Sequence, residues 1–119
     1  MATNKEIQEF AIRWLEKYRS SRTTELEVEE NFADECFALG FKMDCGEAFE
    51  MAFPDTNAFN DYEALTKIIE QVQDISVLGS AIFSKWRYIT HWAYCESLVS
   101  PENRPWFILA FERMAVLTS

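Results

Sequence analysis

A single histidine, three glycines and three prolines among 119 residues leave little material for most kinds of active site. With His91 alone, a zinc site built on several imidazoles is excluded, and no Glu-x-x-His pair is present to hold a di-iron centre in a helical bundle. So few glycines give no Gly-rich loop to cradle a phosphate. The three cysteines, Cys36, Cys45 and Cys95, are odd in number and lack a Cys-x-x-Cys spacing. They read as reduced thiols in or near the core of a cytoplasmic protein, not as a disulfide framework. A basic start followed by an apolar run is also missing, so neither a signal peptide nor a lipidation signal is expected. The most apolar stretch, residues 75–94, is interrupted by Lys85, Arg87 and His91, which argues against a membrane span.

What is present is a core. Hydrophobic residues make up 49% of the chain, with ten Phe and four Trp, so a disordered chain is excluded and one domain can be stabilised without metal or disulfide staples. The scarcity of Gly and Pro favours long helices joined by short turns over a β meander. We therefore expect a single all-α domain over residues 1–119. It would be a bundle of five to six helices around a buried central helix, about 75–94, and a buried C-terminal helix.

Periodicity places the helices. Thr3 and Glu6 form a capping-box pattern, after which Ile7, Phe10, Ala11, Trp14, Leu15 and Tyr18 repeat at helical spacing. Lys5, Glu9, Arg13, Glu16 and Lys17 fall on the other side, with Glu9 and Arg13 spaced for an ion pair. A second box, Thr24 to Glu27, opens a helix with Val28, Phe32, Cys36 and Leu39 inward, stopping at Gly40. Asp44 and Glu47 start a short helix that ends near Phe53, and residues 54–60 form a connection. That connection fails as a calcium loop, because Phe59 and Asn60 stand where an oxygen ligand and the turn glycine are needed. Asn60 and Glu63 cap a further helix with Tyr62, Leu65, Ile68, Ile69 and Val72 apolar.

In the central helix, Ile75, Leu78, Ile82, Trp86, Ile89 and Ala93 form the main apolar face. Val77, Ala81, Tyr88 and Trp92 form a second strip, which predicts neighbours on both sides. Asn103 caps the last helix, with Pro105 in its first turn. Its apolar residues, from Trp106 to Leu117, cover most of its circumference, and its chief partner is expected to be the central helix.

Two features are candidates for function. The first is a polar stripe on the central helix, Ser76, Ser80, Ser84, Arg87 and His91, at spacings of four, four, three and four. In one reading the small serines let a neighbour approach closely. In the other, Ser80, Ser84, Arg87 and His91 line a groove for an anion or other ligand.

The second feature is the placement of charge. The net charge is −9, and residues 25–55 carry ten acids against Lys42 alone, while residues 1–24 are net +2. Glu27, Glu30, Asp34 and Glu35 lie on one side of the second helix and Glu47 and Glu50 follow. Like charges without interleaved bases repel, so such a face is either a solvated surface or a binding surface. An acidic chain disfavours direct nucleic-acid binding and complements a basic protein.

No cofactor or metal is implied, and no nucleophile, base and orienting group are suggested by spacing. The exposed carboxylates expected here lack the perturbed ionisation that acid–base catalysis needs. The leading expectation is thus a non-enzymatic, cytoplasmic, acidic binding module. It would inhibit or neutralise a basic partner, such as a nucleic-acid-processing protein, through Glu27, Glu30, Asp34, Glu35, Glu47 and Glu50. A ligand-binding helical domain using the serine stripe, or a homo-oligomer burying aromatic surface, are the alternatives.

Overall fold

The computed structural model describes residues 2–20, 30–42, 62–91 and 103–119. Within them lie five helices: α1 (Asn4–Ser20), α2 (Glu30–Ala38), α3 (Tyr62–Gln71), α4 (Ile75–His91) and α5 (Arg104–Leu117). Among the described residues there is no strand, and the molecule is an all-α bundle. No helix there is long and apolar enough to cross a membrane. The expected helix between Asp44 and Phe53, the start of the second helix at Thr24, and residues 92–94 lie outside the described residues.

Helix ends follow local chemistry. Thr3 Oγ1 accepts the Glu6 N–H at 3.2 Å and donates to the Glu6 carboxylate, satisfying one of the unpaired amides of the first turn. At the end of α2, Gly40 has φ +85, a left-handed conformation that only glycine adopts without steric penalty. Its N–H donates to the Phe37 carbonyl and the Phe41 N–H donates to the Cys36 carbonyl, which is the Schellman pattern. This closure turns Phe41 back into the core.

Asp74 caps α4, its Oδ1 accepting the N–H groups of Ser76 and Val77 at 2.8 and 3.2 Å. Asn103 does occupy the cap position of α5, but its side chain does not cap the helix. Its backbone is helical (φ −98, ψ −37) instead of extended, and Pro105 removes one of the two amides that a cap side chain would bond.

The organising helix is α5. Among the described residues it packs on α1, α3 and α4, and most extensively on α1, not on α4 as its apolar pattern led us to expect. Helices α1 and α5 run antiparallel. Gln8 near the start of α1 donates to the Ala115 carbonyl near the end of α5, and Tyr18 stacks on Phe107 at 4.8 Å. All six predicted core residues of α1 are buried, as are Trp106, Phe107, Ala110, Phe111 and Met114 of α5. Arg113 ties α3 to α5 by donating from Nε to the Val72 carbonyl at 2.8 Å.

Helix α2 enters this core through Phe32, whose ring lies within 6.5 Å of those of Phe10, Trp14, Phe83, Trp86 and Phe111. Burying a phenylalanine contributes roughly 1.5–3 kcal/mol, with tilted and edge-on ring contacts adding to it. The main face of α4 is buried at Leu78, Ile82, Trp86 and Ile89. Its second strip is not uniformly covered. Ala81 is buried, whereas Tyr88 is 56% exposed, so the predicted sandwich ends before that turn.

Candidate interaction surface

The acidic side of α2 follows from which residues its core side takes. Phe32 and Cys36, four apart, point inward and are fully buried. That leaves Asn31, Asp34, Phe37 and Ala38 exposed on the outer side. Phe37 is 59% exposed even though its ring meets that of Phe83 edge-on at 5.0 Å. The outer side of α2 therefore combines an acid with an aromatic ring, and the helix carries no base in its last turn.

Glu35 behaves differently from its neighbours. One carboxylate oxygen accepts the indole N–H of Trp14 at 2.7 Å and the other accepts from the Arg13 guanidinium. Arg13, spaced in sequence to pair with Glu9, reaches across to α2 instead. A buried indole needs an acceptor, and Glu35 supplies one beside the core. Glu35 is thus a clasp between α1 and α2 as well as part of the acidic side. Lys17 lies over the Trp14 ring, its Nζ 4.3 Å from the ring centre. Of the remaining acids, Glu30 opens α2 but its side chain is outside the described residues, as are Glu27, Glu47 and Glu50 altogether.

The serine stripe of α4 is placed elsewhere. Ser80 is 5% exposed and its Oγ accepts the Lys42 N–H at 3.1 Å. Beside it, a Cβ on Gly79 would overlap the Phe41 ring, so only glycine lets the Phe41–Lys42 segment lie this close. Ser84 is also buried, Arg87 is half-buried, and the His91 side chain lies outside the described residues. The turn after α2 lies against Ser80 and covers it.

Three features were not read from the sequence: the Asp74 cap, the Trp14–Glu35–Arg13 clasp and the seating of Phe41 on Gly79. An Asp immediately before an apolar periodic run signals the first. The other two join residues 21 and 38 positions apart, beyond the reach of local spacing.

Among the described residues, Tyr18 and Cys36 are ionisable side chains buried in the core. Burial pushes the Tyr18 hydroxyl well above its ordinary range, with Cys36 adding to the effect. Burial likewise pushes the Cys36 thiol up, reinforced by the Glu35 charge. Both are held protonated at neutral pH, and a protonated, fully buried thiol is not a nucleophile. Among the described residues, no three His, Cys, Asp or Glu side chains come together in a way that could hold a metal ion. The sequence matches no family model, and neither curated proteins nor solved structures show a significant similarity to it.

Proposed function

We propose that this chain is a small acidic protein-binding module that neutralises a basic partner, acting by occupancy and not by catalysis. The observation that carries this reading is the segregation of charge: ten acids against one lysine in residues 25–55 of a chain whose first 24 residues are net positive. Such a distribution produces a directional field that speeds association with a basic surface and selects against acidic ones. The outer side of α2 supports it, because Asp34 and Phe37 offer a charge and an aromatic anchor side by side. A basic nucleic-acid-processing protein is the partner class that such a surface fits.

A capture experiment tests the reading, comparing wild type with a variant in which Glu27, Glu30 and Asp34 are all changed to Lys. Glu35 is left intact because it holds α2 to α1. The expected result is a basic protein retained by wild type, released as salt rises, and absent from the variant. Retention of the same proteins by both baits, or retention that is indifferent to salt, would overturn it.

A further inference from the structure

We draw no further inference here: the strongest candidate, the outer face of α2 where the exposed Phe37 ring meets Phe83 near Asp34, belongs to the surface already described, and nothing in the structure shows what covers it.

Discussion

Two polar lines run along helices that also feed aromatic residues into the core, one on α4 and one on α2, and the fold treats them oppositely. On α4, Ser80 and Ser84 are buried and the chain's own turn lies across Ser80. On α2, Asn31 and Asp34 stay in water. The difference is one of size and charge. A serine hydroxyl can be buried at little cost once it is bonded, and its small volume lets backbone approach. Burying a carboxylate costs several kcal/mol even after relaxation, so the chain covers the serines and leaves Asp34 outside. Glu35 marks the boundary, because it approaches the core only where Trp14 and Arg13 meet both of its oxygens.

The inner side of α2 holds an exception, since Cys36 is ionisable and fully buried there, beside Tyr18. Raising the pH breaks the comparison at this point and gives the largest effect we expect. The folded state holds the Cys36 thiol above its ordinary value near 8.5, so the folded chain keeps a proton that the unfolded chain has released. Its contribution is fully present below that value and is lost as pH rises toward the folded one. The loss amounts to about 1.4 kcal/mol per pH unit, with Tyr18 adding a second slope above about pH 10. Denaturant unfolding between neutral pH and about pH 10.5 measures it, with Cys36→Ala expected to have the shallower alkaline decline. Identical slopes in the two proteins would show that α2 does not hold this thiol neutral.

The α4 line can be broken by a single methyl group. Gly79→Ala favours the helix by about 1 kcal/mol, yet the new Cβ overlaps Phe41, and overpacking of this kind costs about 1–3 kcal/mol. The overlap involves Cγ, which is bonded to the Phe41 Cβ, together with Cδ1 and Cε1 on one edge of the ring, so rotation alone does not relieve it. A net destabilisation of up to about 2 kcal/mol is expected from chemical unfolding. Phe41→Leu in the same chain should recover part of it, seen as a favourable coupling in a double-mutant cycle. A stabilised Gly79→Ala protein would mean that the turn after α2 does not rest on α4.

These residues also show what was legible in the sequence. The inward side of α1, the stop at Gly40 and the inward placement of Phe32 and Cys36 were readable because each depends on residues within about one or two helical turns. The identity of the organising helix was not. Apolar residues on α5 declare that it is buried, but not that α1 is its main partner, since hydrophobic contact carries no address. The serine stripe and the acidic side were found as patterns, while their fates depended on the turn through Phe41 and on Trp14, both remote in sequence. Glu35 was legible as an acid on a charged face. Its role as a clasp needed the third dimension.

The smallest expected effect on stability is the sharpest test of the α2 side of the comparison. Asp34 is exposed and lies on a helix with no base in its last turn, so Asp34→Lys should leave stability within about 0.5 kcal/mol of wild type. Glu35→Lys, one residue along, takes the acceptor from a buried indole N–H and places a cation beside Arg13, at a cost of about 1–3 kcal/mol. Thermal or urea unfolding of the two single variants separates a residue kept for the solvent from one kept for the fold. Equal losses would place Asp34 in the structural network with Glu35. The expected inequality leaves Asp34 free to change without changing the fold, as the proposed binding role requires of it.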